Sequence, residues 1–169
     1  MTETILNTLY LLIGGNLGNR LENLASAKKQ IGKYIGKIAV NSSIYQTAAW
    51  GNTDQPDFLN QVLIIKTSLP AEECIKKIIL IENKLGRKRT EKNAPRIIDI
   101  DILFYNDIIL NIPGLIIPHP EIQNRRFVLV PLNEISSLFI HPLLNKPIES
   151  LLSACQDQLE VNIIRATSP

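Results

Sequence analysis

Thr8 to Ile13 is a short apolar run that Gly14-Gly15-Asn16 breaks, the pattern of a buried strand feeding a turn. From Asn19 onward, Leu21, Leu24, Lys28, Ile31 and Ile35 recur near helical spacing, and Asn19 with Glu22 offers a variant capping box. Lys37 to Gln46 and Asn60 to Ser68 are rich in Val and Ile and predict two strands separated by a polar stretch. A second helix is punctuated at both ends. Pro70 suits its first turn, Glu72 and Glu73 complement its positive end, and Gly86 can close it. Ile75, Ile78 and Leu85 mark its inner face. Ile97 to Tyr105 predicts a further strand, and Asp107 to Ile112 is expected to fold back onto it through a turn at Asn106-Asp107. Short helices follow near Val128 to Ile135 and Ile148 to Cys155, with a last strand at Val161 to Ile164.

Strand, helix, two strands, helix, strand is the ferredoxin-like βαββαβ order. The class is therefore α+β, with additional C-terminal strands and short helices. The 169 residues fit a single domain, 1–169, large enough to bury a core without metal or disulfide staples. No repeat, low-complexity tract or linker divides them. Hydrophobic residues make up 45% and charged residues 20%, a globular rather than disordered balance. A net charge of +2 is too mild for a nucleic-acid coat, so any basic function is local. Cys74 and Cys155 have neither zinc nor redox spacing and read as reduced, mostly buried thiols. With no basic leader and no long apolar span, the expectation is a soluble cytoplasmic protein with no membrane, nucleic-acid or obligate protein partner.

The strongest chemical signal is Pro95-Arg96-Ile97-Ile98-Asp99-Ile100-Asp101-Ile102-Leu103. Side chains alternate along a strand, so Asp99 and Asp101 share one face ~7 Å apart while Ile98, Ile100 and Ile102 share the other. Two readings fit this pattern: a strand whose polar face meets water, or a carboxylate pair for hard cations such as magnesium. Leu103 on the aspartate face weighs against full solvation. Lys84, Arg87, Lys88, Arg89, Lys92 and Arg96 form a basic run just before these aspartates. It is either a solvated loop or a clamp for a polyphosphate, and no aromatic is interleaved as nucleic-acid binding would favour.

Gly14-Gly15-Asn16-Leu17-Gly18 matches neither the dinucleotide fingerprint nor the P-loop. Gln55-Pro56-Asp57-Phe58-Leu59-Asn60 puts an aromatic ring and an amide at a strand mouth, where a flat heterocycle could stack and be read by paired hydrogen bonds. His119 is fixed between Pro118 and Pro120; a surface turn residue and a phosphate donor are both open readings. Trp50 either covers a ligand or fills core space, and His141 carries no functional argument.

Together the Gly14-to-Leu17, Gln55-to-Asn60 and Pro95-to-Asp101 segments resemble, in order, the 6-hydroxymethyl-7,8-dihydropterin pyrophosphokinase family, with similarity from about Leu9 to about Ile164. The resemblance implies an ATP-dependent diphosphokinase of folate biosynthesis that moves pyrophosphate from ATP to the hydroxymethyl group of the dihydropterin. AMP and the pterin diphosphate would be the products, with two Mg2+ ions and ATP as cosubstrate. It further implies that Asp99 and Asp101 are metal ligands and that Arg87 and Arg96 meet the nucleotide phosphates. Asn60 would read the pterin edge, with Phe58 and Phe127 sandwiching its ring and Thr47, Ala49 and Trp50 completing that pocket. Glu82, His119 and Arg125 match positions on the ATP side. The chain departs from the family at Gly15, often serine, at Ala48 and Ala49, near a proline, and at Ala94, often glycine. Asn93 and Pro120 replace a tryptophan and a tyrosine found in some members.

Overall fold

In the computed structural model, which describes residues 3–49, 54–88 and 94–165, the first apolar run becomes β1 (Asn7–Gly15). It is followed by α1 (Arg20–Tyr34), β2 (Lys37–Asn41), β3 (Tyr45–Thr47), β4 (Phe58–Thr67), α2 (Ala71–Lys84) and β5 (Asp99–Tyr105). β1 pairs antiparallel with both β4 and β5. β4 carries β2 and β3 along its other edge, and β8 (Asn162–Ile163) adds outside β3. The principal order β5-β1-β4-β3-β8, with α1 and α2 as crossovers, gives the expected ferredoxin-like arrangement.

Alternation along β1 builds two cores. Leu9, Leu11 and Ile13 join Leu24, Ala27 and Ile31 of α1 and Cys74, Ile78 and Ile81 of α2 on one face. Tyr10 and Leu12 join Val128, Leu129 and Leu132 of α3 (Arg126–Ser136) and Ile148 and Leu151 of α4 (Ile148–Ala154) on the other. Asn19 caps α1 by accepting from the Glu22 N–H at 3.2 Å. The α1 stripe is Leu24, Ala27 and Ile31 rather than one through Leu21, which is exposed. Ile75 and Leu85 lie only at the margin of the α2 face, whose centre is Cys74, Ile78 and Ile81. No helix among the described residues is long and apolar enough to cross a membrane.

Two sequence expectations need correction. The single strand expected from Lys37 to Gln46 breaks after Asn41, because Ser42 bonds sideways to β4. Its hydroxyl accepts the Val62 N–H at 2.9 Å and its carbonyl accepts Gln61 Nε2 at 2.7 Å. The segment Asp107 to Ile112 does not return onto β5. Asn106, at φ 49°, fastens the end of β5 to Thr8 by two 2.8 Å bonds and turns the chain off the sheet. β6 (Leu110–Ile112) then pairs with β7 (Leu115–Ile117) instead.

His141, set aside by sequence reasoning, anchors the turn before α4. Its Nδ1 accepts the N–H groups of Leu143 and Leu144 at 3.2 and 3.1 Å, while its ring meets Phe104 edge-on at 5.5 Å. Burial lowers its pKa from the usual histidine value. A group held neutral in this way contributes full stability above about pH 6.5 and loses it as pH falls and the unfolded chain takes up the proton first. Urea melts of His141→Asn should therefore show a smaller stability loss between about pH 7.5 and pH 5.5 than the parent chain. An unchanged loss would assign the acid sensitivity elsewhere.

Candidate active site

On the α3 face, the sheet changes character towards one end. Leu12 lies between Val62 of β4 and Asp101 of β5; one step further, Gly14 lies between Asn60 and Asp99. Apolar side chains thus give way, over two rows, to an amide, two carboxylates and a position with no side chain. The gap at Gly14 is required. A Cβ there would stand 2.2 Å from Asn60 Oδ1 and 2.8 Å from the Leu59 carbonyl. The result is an open cleft at this end of the sheet, lined by both polar and apolar side chains.

Nine of the residues picked out in the sequence line this cleft: Thr47, Ala49, Phe58, Asn60, Arg96, Asp99, Asp101, Arg125 and Phe127. Asn60 Nδ2 lies 3.3 Å from Thr47 Oγ1, which fixes the amide across the β3–β4 pair. The Arg96 guanidinium lies over the Phe58 ring at 5.5 Å, and that of Arg125 over Phe127 at 5.9 Å. Arg87 and Glu82 stand behind Asp99. His119 is apart: it borders a neighbouring groove beside β6 and β7, with its N–H on the Leu103 carbonyl at 3.0 Å. Burial and the nearby Arg125 lower its pKa. Trp50, Arg89, Lys92 and Asn93 lie outside the described residues.

The end of α2 explains how Arg87 arrives. Gly86, at φ 92°, lets the chain turn back so that its N–H meets the Asn83 carbonyl and the Arg87 N–H meets the Glu82 carbonyl at 3.1 and 3.0 Å. This double closure is a Schellman turn, with glycine where the left-handed conformation is needed. It places Arg87 over Glu82, which its guanidinium grips, and within 2.7 Å of Asp99 Oδ1. Glu82 also accepts the Ile100 N–H at 3.0 Å, tying α2 to β5. Arg96 takes the other Asp99 oxygen at 2.9 Å.

Three carboxylates therefore face two guanidiniums, and the uncompensated charge falls on Asp101. Desolvation, then Asp99 and Glu82, push the Asp101 acid up to about 7 against the pull of Arg87 and Arg96. Burial likewise raises Glu82, while Asp99 and Glu82 raise Arg87 in spite of its burial. An oxygen-only pair opening on a cleft and short of one positive charge fits a hard divalent cation. No group of three or more His, Cys, Asp or Glu among the described residues could hold a metal, so water or phosphate would fill the remaining positions.

In the sequence Asn16 reads only as part of a turn. It is 3% exposed and bonded on both sides of its amide, to Arg96 and to the Gln55-Pro56 segment. An asparagine closing an apolar strand was the available signal.

A model of the 7,8-dihydro-6-hydroxymethylpterin-pyrophosphokinase (HPPK) family matches residues 10–137. The 2-amino-4-hydroxy-6-hydroxymethyldihydropteridine pyrophosphokinase of Aquifex aeolicus is 40% identical over 142 residues, 84% of this chain and 88% of that protein. Its namesake in Synechocystis is 40% identical over 83% of this chain and 72% of that protein. A Dictyostelium discoideum folic acid synthesis protein is 39% identical over 82% of this chain, which spans only 21% of that longer protein. A Plasmodium falciparum HPPK-DHPS structure shares the fold at a TM-score of 0.76 and 20% identity, covering 89% of this chain and 46% of that one.

Proposed function

Because the chain belongs to the 7,8-dihydro-6-hydroxymethylpterin-pyrophosphokinase family, we propose that the cleft between Asn60 and Asp101 brings its two substrates together. The chain transfers pyrophosphate from ATP to hydroxymethyldihydropterin in folate synthesis. The observation that carries the assignment of halves is the row Asn60–Gly14–Asp99, which sets an amide and a carboxylate on either side of a bare backbone position. The pterin lies over Gly14, with its edge on Asn60, its pocket closed by Thr47 and Ala49, and its ring between Phe58 and Phe127. ATP extends over Asp99 and Asp101 towards Arg87, Arg96 and Arg125, with Glu82 holding Arg87 and His119 at the outer edge.

Asp99 and Asp101 would hold two Mg2+ ions, which supply Lewis-acid neutralisation of phosphate oxygens. The residues of the chain handle the rest of the charge. Arg87 and Arg96 both rest on Asp99, so a polyphosphate exchanges carboxylate pairing for phosphate pairing without exposing either guanidinium unpaired. Arg96 also touches Phe58, so the phosphate clamp and the acceptor ring share a wall. Catalysis here is chiefly positioning and electrostatics, as in phosphoryl transfer generally.

Attack falls at the β-phosphorus, and AMP leaves. Chromatography of reaction mixtures should show AMP appearing one-for-one with pterin diphosphate, and only with Mg2+ and the pterin both present. ADP as the main nucleotide product, or AMP released without pterin, would overturn the reaction assigned to the cleft.

A further inference from the structure

We propose that Asn16 is a positioning residue that holds the phosphate half of the site in register with the pterin half. The inference rests on the division of the cleft given above. Asn16 follows the last residue of β1, and its amide is used on both sides. Oδ1 accepts the Arg96 main-chain N–H at 2.9 Å. Nδ2 donates to Gln55 Oε1 and to the Pro56 carbonyl, each at 3.0 Å. Its own N–H also meets the Arg96 carbonyl at 2.9 Å. Arg96 leads into Asp99 and Asp101; Gln55 and Pro56 lead into Phe58 and Asn60. One buried amide thus joins the two chain segments that lead into β4 and β5 on either side of β1.

The two connections are unequal. On the Arg96 side, main-chain bonds from Asn16 and Leu17 to the Arg96 carbonyl remain when the side chain is lost. On the other side, the bonds to Gln55 and Pro56 come from the Asn16 side chain itself and are lost with it, just before β4 begins at Phe58. Loss of the Asn16 amide should therefore loosen the approach to Phe58 more than the Arg96 segment. The Phe58 ring would shift relative to the Arg96 guanidinium above it, and the acceptor would sit wrongly for transfer even when bound.

Asn16→Ser and Gln55→Ala test this, with Asn60→Ala as the reference for the pterin half. Calorimetry with 6-hydroxymethyl-7,8-dihydropterin, and separately with Mg2+ and a non-hydrolysable ATP analogue, gives the two affinities; steady-state kinetics gives kcat and each KM. Asn16→Ser should weaken pterin binding roughly tenfold and lower kcat at saturation by a similar factor, with nucleotide affinity within about twofold of the parent. Gln55→Ala should do the same more mildly, and its effect should shrink in the Asn16→Ser background because both act through one contact. Should Asn16→Ser not fold, the Gln55→Ala selectivity for pterin decides the matter alone. A lowered melting temperature with both affinities and kcat unchanged, or equal weakening of both ligands, would make Asn16 merely structural and overturn the proposal. Asn60→Ala with undiminished pterin affinity would instead overturn the division of the cleft, and the proposal with it.

Discussion

Asp101→Ala should reduce turnover by roughly a thousandfold or more while leaving the melting temperature unchanged or slightly raised. The two halves of that expectation have one cause. Asp101 pairs with no guanidinium among the described residues, and desolvation pushes its acid up to about 7. Removing it relieves the fold of a poorly compensated charge and deprives the reaction of a cation ligand. Asp99→Ala should lose comparable activity but also cost about 1–3 kcal/mol of stability, because Arg87 and Arg96 would lose a shared carboxylate in a half-buried place. Thermal melts and initial rates on the two variants separate these effects. Near-parental activity in both would remove the aspartates from the metal site.

Gly14→Ala is expected to be nearly as damaging, by steric means. The added methyl would meet Asn60 Oδ1 at 2.2 Å and the Leu59 carbonyl at 2.8 Å. Asn60 is buried against Thr47, so it can yield only by breaking the Thr47 contact and turning its amide out of register. Pterin affinity should fall by about a hundredfold, at the upper end of the ~1–3 kcal/mol expected from deleting the amide as Asn60→Ala, because the methyl also occupies the floor. ATP-analogue affinity should change little. Calorimetry showing equal loss of both ligands would place Gly14 under the fold as a whole rather than under the pterin.

The sequence disclosed the carboxylate pair because strand alternation is local: Asp99 and Asp101 face together whatever lies across from them. It disclosed the closing of α2 for the same reason, since Gly86 announces a left-handed turn. Pairing across the sheet is another matter. That Gly14 falls between Asn60 and Asp99 depends on the register of three strands far apart in the chain. Alternation within each strand leaves that register open. The break at Ser42 was hidden because a hydroxyl that bonds to a neighbouring strand looks like any serine in a β-rich run. The β6–β7 pairing was misjudged because Asn106-Asp107 has the composition of a hairpin turn, whereas Asn106 spends its amide on Thr8. Asn16 escaped notice because its partners, Gln55 and Arg96, lie about 40 and 80 positions away.

Arg87 and Arg96 reach the same aspartate from the two ends of one stretch of chain. The stretch is thereby drawn shut at its neck, whatever residues lie between. Closing a chain segment costs free energy that grows only with the logarithm of its length, about 0.6 kcal/mol for each doubling. The carboxylate cluster is thus insulated from the length and composition of residues 89–93. A designer could lengthen or shorten that segment while the two guanidiniums stay on Asp99.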